Sequence, residues 1–194
     1  MPWDSSRLIL ADLDGTPPRI IRRQRIAGDA HTPVFQPEFS PDGRWLSYIL
    51  TEEEWDSLVI LNLETGDHWK VTSGCSLAEP AWVEGIRVYG WSPDCGSIAY
   101  IRNDSGFSSL WKADLKSGQM EKVGIEPYTW LSQLSVSPTT GAIACIASAS
   151  AIPPRIVVLE GDKLCTIRRS TGEDLPPEAY PTPRAVEWDS PEGE

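Results

Sequence analysis

The chain has 194 residues, 40% of them hydrophobic and 23% charged, with a formal net charge of −11. This hydrophobic share supports a packed globular core and excludes a disordered chain. The acidity argues against nucleic acid or an anionic membrane surface as a partner, and no apolar run is long enough to span a bilayer.

The N-terminal stretch MPWDSSRLIL lacks a basic region followed by an apolar one, so no signal peptide is expected. Its continuation RLILADLDG reads as a strand that ends in a glycine turn at Gly15. Arg22-Arg23-Gln24-Arg25 follows on an outer strand, where charge that protects a sheet edge explains it better than an anion site. Next comes FSPDGRWLSYI from Phe39. Ser40-Pro41-Asp42-Gly43 has the make-up of a tight turn between two strands: proline sets φ, and Gly43 accepts the positive φ that follows. The strand after the turn places Leu46, Tyr48 and Leu50 on one face and Trp45, Ser47 and Ile49 on the other, so both faces are expected to be covered. Glu52, Glu53 and Glu54 fall in the short connection to the next strand, LVILNLETG, which ends at Gly66. His68 lies in the strand after that, beside Trp69.

The pattern then recurs. WSPDCGSIAYI begins at Trp91 and VSPTTGAIACI at Val136. In both, the glycine sits one place later, at Gly96 and Gly141, which predicts a different turn within the same hairpin. The strand-then-glycine element returns as LWKADLKSG to Gly118 and RIVVLEG to Gly161. From Gly15, the glycine landmarks are 51, 52 and 43 residues apart; the serines at 40, 92 and 137 are 52 and 45 apart. Two independent landmarks keep step, which gives a repeat in the range of propeller blades. The expected fold is all-β: a partial β-propeller of four-stranded antiparallel blades, with first strands near 34–39, 86–91 and 131–136. The propeller is expected over 1–183, with an outer half-blade at about 5–30 and blades at about 31–74, 75–125 and 126–172.

The end, AVEWDSPEGE, offers a fourth serine turn at Ser190, 53 residues after Ser137. Its register disagrees, because Asp189 precedes the serine where the other copies have an apolar residue, and Val186 and Trp188 are shifted by one. The half-blade is therefore expected to keep an open inner edge at about Arg7 to Asp12, and the open blade edges make a homo-oligomer possible.

VFQPEFSPDGRWLSYI followed by LVILNLETGDHWKVT, together with AEPAWVEGIRVYGWSPD, resembles the N-terminal propeller repeats of prolyl-oligopeptidase family serine peptidases, in the acylaminoacyl-peptidase and dipeptidyl-peptidase-like branch. TolB-like propellers share the SPDG repeat. MPWDSSRLILADLDG is similar to an internal propeller segment of that branch, which implies that Met1 is internal to the domain. The resemblance implies that residues 184–194 form a linker strand toward a C-terminal α/β-hydrolase domain, which carries the catalytic residues in that family. It also implies a peptide substrate for the parent. It makes Glu52, Glu53 and Glu54 candidate substrate-binding residues, an acidic cluster for a peptide's ammonium terminus; the plainer reading of the same run is a solvated loop.

The residues themselves show no catalytic constellation. There is no G-x-S-x-G; the nearest string, GFSSL from Gly106, lacks the second glycine and precedes a strand. His31 and His68 are the histidines, and neither stands in a nucleophile–base context. Asp42 and Asp94 recur at one turn position, which signals turn geometry and not paired-carboxylate catalysis. Cys75, Cys95, Cys145 and Cys165 form no CxxC pair and read as reduced packing residues, so a cytoplasmic protein without cofactor or metal is expected. The resemblance implies one of two functions. One is the non-catalytic propeller portion of a serine peptidase, covering the active site and restricting access to short peptides. The other is a stand-alone TolB-like module for protein–protein interaction.

Overall fold

The computed structural model describes residues 5–77 and 85–172, and positions 176, 179–181, 183, 184, 186 and 188. These residues build fourteen strands and no α-helix. The first sheet has two strands, β1 (Leu8–Asp14) and β2 (Arg19–Ala27). Three four-stranded sheets follow, each in chain order. The first comprises β3 (Val34–Phe39), β4 (Trp45–Glu52), β5 (Trp55–Asn62) and β6 (His68–Cys75). The second comprises β7 (Tyr89–Trp91), β8 (Ser97–Asp104), β9 (Phe107–Asp114) and β10 (Met120–Val123). The third comprises β11 (Trp130–Val136), β12 (Ile143–Ala149), β13 (Ile152–Glu160) and β14 (Lys163–Arg169). All pairs are antiparallel.

Period-2 sequences dry on both sides require sheets stacked face to face, and the burial shows this. On β4, Leu46 and Tyr48 join Val34, Val59 and Leu61 in a cluster that also takes Leu8 and Ile26 from the half-blade. Ile49, on the opposite face, joins Leu58 and Ile60 in a larger cluster with Val88, with Tyr89 and Trp91 of the next sheet and with Leu131, Cys145 and Val157 of the last. The sheets of β3–β6 and β7–β10 are thus blades between two neighbours. Ser47, fully buried on this face, accepts the indole N–H of Trp91 at 2.8 Å and donates to the Glu38 carbonyl at 3.0 Å, with the Tyr89 hydroxyl 3.1 Å away. Asp56 is a buried carboxylate that accepts from the Thr51 hydroxyl at 2.7 Å and from the Leu77 backbone N–H at 2.9 Å, tying the start of β5 to the segment that leaves for the next blade.

Two sequence expectations change. The inner strand expected at 86–91 pairs only over Tyr89–Trp91, because the Val88 N–H leaves its own sheet and donates to Gln36 of the preceding blade at 2.9 Å. The different turn expected in both later copies holds for the third alone. Gly43 and Cys95 each donate their backbone N–H to the serine carbonyl three residues back, Ser40 and Ser92, and both have positive φ, 70° and 59°. Cys95 therefore occupies the left-handed position of Gly43, and the glycine that follows it is not needed there. In the third copy Gly141, φ 74°, bonds back four residues to Ser137.

Of the expected linker strand at 184–194, only 184, 186 and 188 lie among the described residues; Val186 and Trp188 are exposed. The four cysteines are free, with Cys75 and Cys145 in the core, where burial pushes the Cys145 thiol up to about 11.

Candidate functional site

The three serine-led turns gather along one end of the blades. In the first, the Ser40 hydroxyl donates to Asp42 at 2.6 Å and accepts the Trp45 N–H at 3.0 Å; Asp42 also accepts the Arg44 N–H at 3.1 Å. In the second, Ser92 donates to Asp94 at 2.6 Å and accepts from Ser97, while Asp94 accepts the Gly96 N–H at 3.1 Å. Both carboxyls are held below the usual range, chiefly by the serine hydroxyl and then by the backbone N–H. Neighbouring turns touch: Asp42 reaches Cys95, and Pro93 lies against Gly141, 3.4 Å from where a Cβ would stand.

Between the blade of β7–β10 and that of β11–β14, this end opens into a cleft of about 540 Å³. Ser92, Asp94 and Thr140 line its turn side, and Lys112, Glu121 and Asp162 bring charge from the strands and the last hairpin. Lys112 adds to the pull on Asp94. One ammonium among three carboxylates can hold a polar guest, and the Ser92 hydroxyl is taken up by Asp94, whose lowered carboxyl is a weak base. The histidines lie elsewhere: the His68 ring nitrogen Nδ1 is 2.9 Å from the Tyr48 hydroxyl, and His31 donates its backbone N–H to Asp29. GFSSL opens on Gly106, in the tight turn between β8 and β9, and its serines are in β9. Among the described residues no group of three His, Cys, Asp or Glu side chains could hold a metal ion.

The acidic run lies at the other end of β4 from the Ser40 turn. Glu52 pairs with Lys70 of β6; Glu53, φ 56°, and Glu54 form the exposed tip of the β4–β5 hairpin. Arg22, Arg23 and Arg25 lie exposed on β2, the outer strand of the half-blade. The sequence reading missed Gln36. This residue has φ 50° in a bulge of the inner strand β3, where the register shifts between Phe35 and Glu38. Its side-chain oxygen accepts the Val88 N–H, and its carbonyl accepts the Tyr89 hydroxyl of the next blade. A signal existed: glutamine stands four residues before the turn serine in the first copy and again, as Gln133, in the third.

No known protein family matches the chain by its sequence profile. Solved structures do match in shape. A puromycin-hydrolysing peptidase of Mycobacterium tuberculosis superposes on 100% of this chain with a TM-score of 0.88 at 21% identity. A puromycin hydrolase superposes on 100% of it with a TM-score of 0.80 at 23% identity. TolB from Acinetobacter baumannii covers 77% of this chain and 35% of its own, with a TM-score of 0.61 at 16% identity. The β-propeller domain of the Trilobed protease from Pyrococcus furiosus covers 72% of this chain and 44% of its own, with a TM-score of 0.53 at 16% identity. The fold is that of a β-propeller. The present chain spans 29% of the length of the two puromycin-hydrolysing proteins, so in them this fold is one portion of a larger chain.

Proposed function

We propose that the chain is the non-catalytic propeller portion of a serine peptidase of the prolyl-oligopeptidase family. In the whole protein it would lie over a C-terminal α/β-hydrolase domain and restrict the active site to short peptides. One observation carries the reading: the likeness to the puromycin-hydrolysing proteins runs through the whole chain, half-blade included, whereas the TolB likeness reaches 77% of it. The acylaminoacyl or dipeptidyl branch remains part of this proposal and rests on the sequence resemblance; a cytoplasmic setting is proposed from the four dispersed cysteines. Glu53 and Glu54 are the carboxylates of the acidic run left open to a peptide's ammonium terminus, since Lys70 pairs with Glu52. The TolB structures favour a second reading, a propeller module that binds another protein.

The test is labelling by a fluorophosphonate probe of the polypeptide made from the complete reading frame, beside residues 1–194 alone. The peptidase reading expects a labelled serine in the former, none in the latter, and faster cleavage of short than of long peptides. An unlabelled complete polypeptide leaves the TolB-like reading standing and sinks the first.

A further inference from the structure

The two joints between full blades match position by position, with the turn serines 52 and then 45 residues apart. In the first joint, the face of β3–β6 carries the cross-strand row Glu38, Ser47, Ile60 and Trp69. Trp45 packs edge-on against Trp69, ring centroids 5.0 Å apart, and Trp91 enters from the facing blade to reach Ser47. In the second joint, the same row on β7–β10 is Gly90, Ala99, Lys112 and Glu121. Ser97 stands at the position of Trp45, Glu121 at that of Trp69, and Val136 of the facing blade at that of Trp91. Three indoles of the first joint have no counterpart in the second, and there the cleft of about 540 Å³ lies. Blade interiors are otherwise close-packed, so the space follows from these positions and not from stacking as such. A Cβ on Gly90 would stand 2.8 Å from Val136 Cγ2, so the slot is closed at the inner strands. Its walls differ. Val136, Ile143 and Leu159 form one apolar cross-strand row on the far side. Lys112, Glu121, Asp94 and Asp162 charge the rest of the lining, three carboxylates to one ammonium, an excess of two negative charges. Among the described residues, none of Lys112, Glu121 and Asp162 is in an ion pair. Ser97 is only 8% exposed; its backbone N–H donates to Ser92, and its hydroxyl, on the cleft lining, has no hydrogen-bond partner among the described residues. A polar side chain at that depth is ordinarily partnered.

We propose that this cleft is a binding site for an aromatic amine. The flat ring takes the place that indoles fill in the first joint and lies against Val136, Ile143 and Leu159. Its ammonium pairs with Glu121 from one wall and Asp162 from the hairpin of the other. The Ser97 hydroxyl accepts a ring N–H, as Ser47 accepts that of Trp91 in the first joint. The excess of negative charge selects a cation over an anion of the same shape. The inference does not depend on the chain being part of a peptidase.

The test titrates the 194-residue chain with tryptamine, followed by saturation-transfer NMR of the ligand protons, and with indolepropionate, which has the same ring and the opposite charge. Tryptamine should bind with a Kd of about 1 mM or tighter, as a well-seated ligand of its size can, and indolepropionate at least about ten times more weakly. Glu121→Gln, at an exposed residue, should weaken tryptamine about tenfold and leave the melting temperature unchanged. Ser97→Trp puts the side chain of the first joint into the slot and should abolish binding. Absence of saturable tryptamine binding up to about 10 mM would overturn the proposal. Equal affinity for the two probes would do the same, because the carboxylates would then play no part. Binding that survives both Ser97→Trp and Glu121→Gln would place the amine elsewhere on the chain and would also overturn it. Failure of serine labelling leaves this result untouched, so the two readings fail separately.

Discussion

At the scale of single residues, the turn chemistry divides what the sequence shows from what it hides. SPDG is legible because proline, aspartate and glycine each suit one place in a tight turn. Cys95 was not, because no composition rule puts a cysteine at φ 59°. Its carbonyl-bonded register, shared with Gly43, holds it there. A Cβ on Gly43 would meet nothing within 4 Å, so Gly43→Ala should cost about 1 kcal/mol from backbone strain alone. Cys95→Gly relieves the same strain but gives the unfolded chain more freedom, and should stay within about 0.5 kcal/mol of the parent. Urea melts of the two variants check this; equal losses would show that the two turns are not equivalent. Glu38, on the inner strand, gives a pH signature. Burial raises its carboxyl above 4.5, while Arg87 pulls it down. A carboxyl raised in the folded state binds more protons folded than unfolded, so it subtracts stability above its folded pKa and not below its unfolded one. Glu38→Gln should therefore raise the melting temperature at pH 7, with the gain vanishing as the pH falls below about 4. The turn aspartates Asp42, Asp94 and Asp114 act with the opposite sign: their support is present at neutral pH and lost as the pH falls through their lowered values.

At the scale of elements, the period of the strands was legible and the joints between blades were not. Alternation and the glycine landmarks placed β3 at 34–39, as observed, but a strand-by-strand reading assigns every N–H to its own ladder. The Val88 N–H breaks that rule, and the bulge at Gln36 exists to meet it. Bulges of this kind re-aim a strand locally, and nothing in residue preference marks glutamine for one. The joint at Ser47 is of the same sort. Ser47→Ala would strip the Trp91 indole N–H of its acceptor inside the core, at a cost of about 1–3 kcal/mol. Ser47→Thr restores the oxygen but adds a methyl group to a fully buried site. Alanine as mild as a surface change would refute the assigned bond. Gly28 links the half-blade to β3 at φ 84°, and a Cβ there would stand 2.3 Å from the Ser6 carbonyl oxygen and 2.7 Å from Val34 Cγ2. Backbone cannot yield as a flexible side chain does, so Gly28→Ala should cost about 3 kcal/mol and loosen the Ser6–Val34 hydrogen bonds, visible as faster amide exchange at Val34.

At the scale of the whole molecule, the candidate site follows from stacking, which the sequence implies only through its repeat. The cleft between the last two blades draws on Asp94, Lys112 and Asp162, which sit in three separate repeat elements and share no motif. Stacking also distributes stability unevenly. The larger core cluster joins all three full blades, whereas the half-blade is held by a second cluster with five buried residues. Among the described residues, β1 pairs with β2 alone, and its other edge carries no strand. Ile9, Leu13, Ile20 and Ile21 are exposed on these two strands. Local opening follows the number of buried contacts that must break, so amides of Leu8–Asp14 should exchange at least ten times faster than those of Leu58–Leu61. An open apolar strand edge also pairs with its like, and two copies can join β1 to β1 across a two-fold axis. Residues 1–194 should therefore show a concentration-dependent dimer in light scattering. Ile9→Lys with Leu13→Lys should abolish it, while Ile146→Asp, on the far blade, leaves it intact. A strict monomer at high concentration with slow exchange across Leu8–Leu13 would mean that the edge is covered from within the chain, and the unequal distribution of stability argued here would fall with it.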